Sequence, residues 1–200
     1  MELILIRHGL PVTVMHEDGR AADPPLTEAG HAQARAAARW LASDAIDRIY
    51  SSPMRRARET AEPLSRTLGI DVELEPRVAE FDRDAEHYIP LEELKRIDYE
   101  AWRDFMKRGY PEGLDLAAFQ AEVIGALDEI IEANPGRRVA VVCHGGVINT
   151  WAAHVIGIEL RLFFAPVYAS IHRFMAASSG ERSLESLNET QHLRTVADVV

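Results

Sequence analysis

Two short apolar runs, Leu3-Ile4-Leu5-Ile6 and Val139-Ala140-Val141-Val142, each lead straight into a histidine and a glycine. A continuous apolar run of this length reads as a strand buried on both faces, the kind found in parallel sheets covered by helices. The first run opens into Arg7-His8-Gly9 and the second into Cys143-His144-Gly145-Gly146. Open α/β sheets bind ligands outside the carboxyl ends of their strands. In a parallel sheet those ends share one edge, so the two imidazoles are expected in one cleft. Arginine offers a planar fork of donors that fits phosphate oxygens. Histidine serves as nucleophile or proton carrier near neutral pH, and glycine lets the backbone approach a ligand.

A third strand is expected at 46–50. It leads into Ser51-Ser52-Pro53-Met54-Arg55-Arg56-Ala57, bringing arginines to the same edge at a helix start, where anions are favoured. Ser52 reads as the N-cap and Pro53 as the first residue of a helix running through 54–68 to Gly69. Pro63 falls inside it as a candidate kink. Two arginines, two histidines and a helix N-terminus together make a phosphate site.

Other elements alternate in the same way. Thr27 caps a helix over 28–41, a stretch rich in alanine. A strand is expected at 70–74 and a helix at 116–133, closed by Asn134-Pro135-Gly136. Another helix is expected from about Val147. Strands at 170–176 and 183–187 suit a hairpin across Ser179-Gly180. The stretch 81–113 differs, being rich in charges and aromatics, and reads as one or two helices forming a lid over the sheet edge. Strand–helix alternation argues for an α/β sandwich with a mainly parallel sheet, and 200 residues suit one domain over 1–200.

The formal net charge is −10, a surface that repels nucleic acid and anionic membranes. An anionic substrate therefore needs a local positive pocket. No apolar stretch approaches the roughly 18 residues that span a membrane, and the amino terminus lacks the pattern of a secretory signal. Cys143 is the only cysteine, so no internal disulfide forms, which fits a reducing cytoplasm. Oligomeric state is open, a homodimer included.

In these motifs the chain resembles the histidine phosphatase superfamily, the group that includes cofactor-dependent phosphoglycerate mutases. The resemblance rests on Arg7-His8-Gly9, on Asp23-Pro24-Pro25-Leu26-Thr27-Glu28-Ala29-Gly30, on the segment from Ser51 to Ala61 and on His144-Gly145-Gly146-Val147-Ile148. A weaker echo follows at Leu187-Asn188-Glu189-Thr190-Gln191-His192-Leu193. The motifs stand in family order along nearly the whole chain.

The resemblance implies a three-layer α/β/α sandwich with a helical lid, and a phosphohistidine mechanism. His8 is the implied nucleophile. Arg7, Arg56 and His144 are implied to hold the phosphoryl oxygens, with Gly9 and Gly145 at the substrate. Val78-Ala79-Glu80 resembles the family's Leu-x-Glu pattern, making Glu80 the implied acid, with Asp82 next and Asp84 and Glu86 further away. The implied activity is metal-independent hydrolysis of a small phosphomonoester, with no cofactor. A mutase-like phosphotransferase and a catalytically weak phosphoryl-binding regulatory protein are the alternatives. The chain is shorter than glycolytic mutases and its insertion lacks their pattern, which favours hydrolysis.

One segment departs from the family. Leu10-Pro11-Val12-Thr13-Val14 replaces a polar stretch, with Val14 where an asparagine is expected. This should weaken or reshape the phosphate contacts. With the aromatics of 81–113, it hints at a substrate having an apolar part. Cys143 reads as a small buried residue, and His16, His31, His87, His154, His172 and His192 as surface or packing residues. His87 and Tyr88 join the pocket if the lid folds over it.

Overall fold

A computed structural model of the chain describes residues 1–111 and 113–196. In chain order the elements are β1 (Glu2–Arg7), β2 (Val14–Met15), α1 (Glu28–Leu41), β3 (Arg48–Ser51), α2 (Arg55–Leu68), β4 (Val72–Leu74), β5 (His87–Tyr88), α3 (Leu91–Ile97), α4 (Tyr99–Arg108), α5 (Leu116–Ala133), β6 (Arg138–Cys143), α6 (Gly145–Ile156), β7 (Ile171–Ala176) and β8 (Arg182–Glu189). Six strands form the main sheet in the order β4-β3-β6-β1-β7-β8. The first four are mutually parallel, while β7 and β8 form an antiparallel hairpin against β1.

Both central strands are continuously apolar because both faces of the sheet are covered. Leu3, Leu5, Val139 and Val141 face a core with Val123 and Leu127 of α5 and Trp151 of α6. Ile4, Ile6, Ala140 and Val142 face the other core, with Leu41 of α1 and Ala57, Ala61 and Leu64 of α2. Burying each such aliphatic chain stabilises the fold by about 1.5–3 kcal/mol. The result is the expected α/β sandwich with helices on both faces.

The register fixes the site. Arg7 stands opposite Cys143, so His8 and His144 leave neighbouring strand ends side by side. The His8 amide donates to the Cys143 carbonyl at 3.0 Å. Thr27 caps α1 as expected, its hydroxyl accepting from the Gly30 amide at 3.0 Å and donating to the Leu10 carbonyl at 3.0 Å. Here α1 meets the turn after β1 backbone to backbone: a methyl carbon on Gly30 would lie 2.2 Å from the Leu10 carbonyl oxygen.

Several local expectations need correction. The strands read at 46–50 and 70–74 begin later, at Arg48 and Val72. α2 starts at Arg55, with Met54 at the N-cap position. Its first amide is satisfied from a distance, by the Asp23 carboxylate at 2.7 Å, which frees Ser52 for another task. α2 runs through Pro63 unbroken. α6 starts at Gly145 rather than near Val147. The insertion does form two helices, α3 and α4, introduced by the short strand β5, which pairs with β2.

Candidate active site

The carboxyl ends of β1, β3 and β6 open onto a cavity of about 390 Å³. Arg7, His8, Arg56, Glu80 and Gly145 line it together. Three of them sit where a strand becomes a turn or helix, so their backbones are held by the sheet.

His8 is buried, and its Nδ1 lies 2.8 Å from the Gly9 carbonyl oxygen. A carbonyl only accepts, so Nδ1 carries the proton and Nε2 keeps its lone pair. Burial, followed by the charges of Arg56 and Arg7, holds the ring well below the usual histidine range. His8 is therefore a neutral imidazole at physiological pH.

The His144 ring centroid lies 5.1 Å from that of His8. Its Nε2 is 2.8 Å from Ser52 Oγ, and that oxygen also accepts the Met54 amide at 3.3 Å. The Ser52 hydroxyl can donate to His144 Nε2, an arrangement that puts the ring proton on Nδ1. Nδ1 is buried and has no partner among the described residues. Burial, then Arg56, keeps this imidazole neutral as well.

Each arginine has a tyrosine against its guanidinium. Arg7 lies 3.8 Å from the Tyr168 ring centre and donates to the Pro166 carbonyl. Arg56 lies 4.6 Å from the Tyr88 ring centre and donates to Asp82 at 2.7 Å. Arg56 is wholly buried, yet its Nε and one terminal nitrogen have no partner among the described residues. A buried guanidinium with unused donors is a ready anion receptor, since unpaired buried donors are costly.

Glu80 approaches from the segment after β4. Its carboxylate accepts the Gly146 amide at 2.8 Å and the Phe81 amide at 3.2 Å. Burial and the nearby Asp82 charge outweigh these bonds and push the carboxyl up to about 7. That value suits a group that both gives and takes a proton near neutrality.

The remaining expectations divide. Asp82 is engaged with Arg56, and Asp84 and Glu86 are exposed. Gly145 faces Arg7 closely: an added methyl carbon would sit 3.8 Å from Nε. Gly9 lies behind His8, its amide donating to Thr60 Oγ1 at 2.9 Å, so it orients the imidazole and does not line the cavity. His87 and Tyr88 do line it, whereas Leu10, Pro11, Val12 and Thr13 line a separate groove with Pro90 and Arg96. Their apolar character therefore belongs outside the cavity. Thr13 donates to Glu93 at 2.7 Å, and the Val14 backbone pairs with Tyr88. Burial pushes the Cys143 thiol up, which leaves it un-ionised. Among the described residues no cluster of three or more His, Cys, Asp or Glu could hold a metal ion.

Two participants were absent from the sequence reading. Ser52 carried the right signal, a polar residue at a strand end, but had been given to the helix cap. Tyr168 carried none: it lies in an aperiodic loop, next to Ala169, whose φ is 58°. That left-handed conformation costs an alanine about 1–2 kcal/mol. It is held by the Ala169 amide donating to the His8 carbonyl at 3.1 Å, which sets Tyr168 on Arg7.

Comparisons with known proteins give the family and the fold. The family model of the histidine phosphatase superfamily (branch 1) matches residues 3–190. The chain is 28% identical over 164 residues to "Probable phosphoglycerate mutase GpmB" of Yersinia enterocolitica, covering 79% of this chain and 76% of that protein. It is 28% identical over 172 residues to phosphoserine phosphatase 1 of Hydrogenobacter thermophilus, covering 82% and 81%. Among solved structures, phosphoserine phosphatase from Entamoeba histolytica in complex with 3-phosphoglyceric acid matches with a TM-score of 0.74 at 27% identity, covering 96% of this chain and 98% of that one.

Proposed function

The chain belongs to the histidine phosphatase superfamily, and on that premise we propose that it is a metal-independent phosphomonoesterase working through a phosphohistidine at His8. The observation that carries this reading is the state of His8: Nδ1 is tied to the Gly9 carbonyl and the ring is held neutral between two guanidiniums. Nε2 is then a free nucleophile next to a receptor for the phosphoryl group.

In the first half-reaction His8 Nε2 attacks phosphorus and the ester P–O bond breaks. Arg7, the unused donors of Arg56 and His144 Nδ1–H take the phosphoryl oxygens and stabilise their charge as transfer proceeds. Glu80, protonated in part near pH 7, gives its proton to the departing alkoxide. In the second half-reaction the Glu80 carboxylate takes a proton from water. The water oxygen bonds to phosphorus, the P–N bond breaks, and neutral His8 and inorganic phosphate result. Both arginines raise the cost of a nearby cation, which supports a mechanism without metal.

Both mutases and phosphatases occur among the named relatives. Hydrolysis is the preferred reading: a Glu80 carboxyl raised to about 7 supports activation of water as well as protonation of a leaving group. The Leu10–Val14 departure lies away from the cavity, which weakens the case for a protein that only binds phosphate. The test is phosphate release from p-nitrophenyl phosphate, O-phosphoserine and 3-phosphoglycerate with EDTA present. Wild type should release phosphate and trap an acid-labile phosphoenzyme. His8→Ala should lose both, on the order of a millionfold in rate. Isomerisation of 3-phosphoglycerate without release would establish the mutase instead.

A further inference from the structure

Beyond the arginines the cavity changes character. Leu91 and Leu94 of α3 and Phe105 and Met106 of α4 face it, together with Phe164 from the loop after α6. Two of the polar groups in this part are already committed. Asn149 donates to the Gly145 and Phe164 carbonyls at 2.9 and 3.2 Å, and its oxygen accepts the Phe163 and Phe164 amides. Asp82 holds Arg56. Apart from Arg7 and Arg56, Lys95 is the only lysine or arginine among the described lining residues, and its ammonium sits 4.9 Å from the Trp102 ring centre.

We infer that the substrate is a phosphate monoester of an apolar alcohol, an alkyl chain of several carbons or an aromatic ring, in preference to small phosphoesters bearing a carboxylate. This preference presupposes the phosphomonoesterase reading above and specifies its leaving group. Three observations support it. First, a cavity of about 390 Å³ falls in the range of roughly 300–1,000 Å³ typical of pockets for drug-sized ligands. Second, a carboxylate entering this end would shed its water largely against carbon, with Asn149 engaged by backbone groups and Lys95 lying over the Trp102 ring. Third, an overall charge of −10 penalises every anionic group beyond the one the arginines neutralise. An apolar body gains from the same walls, and the receptor for the phosphoryl group is continuous with them.

The experiment measures kcat/KM across n-alkyl phosphates from ethyl to octyl, with 1-naphthyl phosphate, O-phosphoserine and 3-phosphoglycerate. The expected result is a rise of about fourfold per buried methylene until the cavity is filled, with naphthyl phosphate high and both carboxylated esters lowest. Phe105→Ser should at least halve the slope of log kcat/KM against chain length. A flat series, or a preference for either carboxylated ester, overturns the inference. If no ester is hydrolysed, the phosphomonoesterase reading fails. Calorimetry with n-alkylphosphonates then decides the apolar inference alone: affinity that climbs with chain length, with a negative heat-capacity change, sustains it, and affinity independent of length overturns it.

Discussion

Glu80 and Gly146 occupy each other's space. The Gly146 amide donates to the Glu80 carboxylate at 2.8 Å, and a methyl carbon on Gly146 would stand 2.3 Å from the other carboxylate oxygen. The same methyl would lie 2.9 Å from the Phe81 ring. The second glycine of His144-Gly145-Gly146 is thus explained by the acid it must admit.

Gly146→Ala should therefore displace the carboxylate. The expected cost is about 1–3 kcal/mol of stability from overpacking, read as a lower Tm, with a large loss of kcat. Gly145→Ala is the control, because its added carbon meets nothing closer than 3.8 Å. Its stability should stay within about 1 kcal/mol of wild type.

Glu80→Gln should cost activity by about 10²–10⁴-fold, the usual worth of a general acid–base, while raising stability at alkaline pH. The folded pKa of Glu80 is raised to about 7 from 4.5. Its contribution to stability is therefore complete below about pH 4.5 and is lost as pH rises through 7. Denaturation at pH 8 should show the variant more stable than wild type, by up to about 3 kcal/mol. Near pH 4 that advantage should vanish.

Asp82→Asn removes a negative charge that helps to raise Glu80. The alkaline limb of the kcat/KM profile, set by loss of the Glu80 proton, should move to lower pH. The amide oxygen can still accept from Arg56, so the fold should persist. An unmoved limb would show that Asp82 does not act on the acid.

Ser52→Ala should leave His144 Nε2 without its partner and free the ring to change tautomer. A lost buried hydrogen bond of about 1–3 kcal/mol corresponds to about 5–150-fold in kcat/KM. Ser52→Thr keeps the hydroxyl and should recover most of it. A purely structural role would instead lower Tm in both variants without this split in activity.

The residues that sit on strand ends were legible in the sequence. Arg7, His8 and His144 announce themselves because a buried strand has a clear apolar signature and the next residue has only one place to go. Glu80 needed a motif, since its segment has no periodicity to place it. Its neighbour Asp82 could be separated from it only by seeing which carboxylate reaches Arg56 and which reaches Gly146. Tyr168 was invisible, because it meets Arg7 across more than 160 residues of chain, through a left-handed alanine that no pattern marks. Leu10–Val14 misled in an instructive way: apolar residues adjoining a site in sequence were expected to reshape its phosphate contacts, whereas the chain turns away and pairs with β5.

That pairing of β2 with β5 is only two residues on each side, and it divides the molecule by how tightly its parts are fastened. Arg7, His8 and His144, three of the candidate groups for the phosphoryl site, stand at strand ends of a six-stranded sheet. Much of the surface that meets the alcohol rides on α3 and α4, which join the rest through this slender ladder and a few side chains. Substitutions in the two helices can therefore exchange one alcohol for another while the chemical step is preserved. A lineage built this way diversifies its substrates cheaply, and a designer could do the same by recasting residues 87–108 and leaving the strand ends alone.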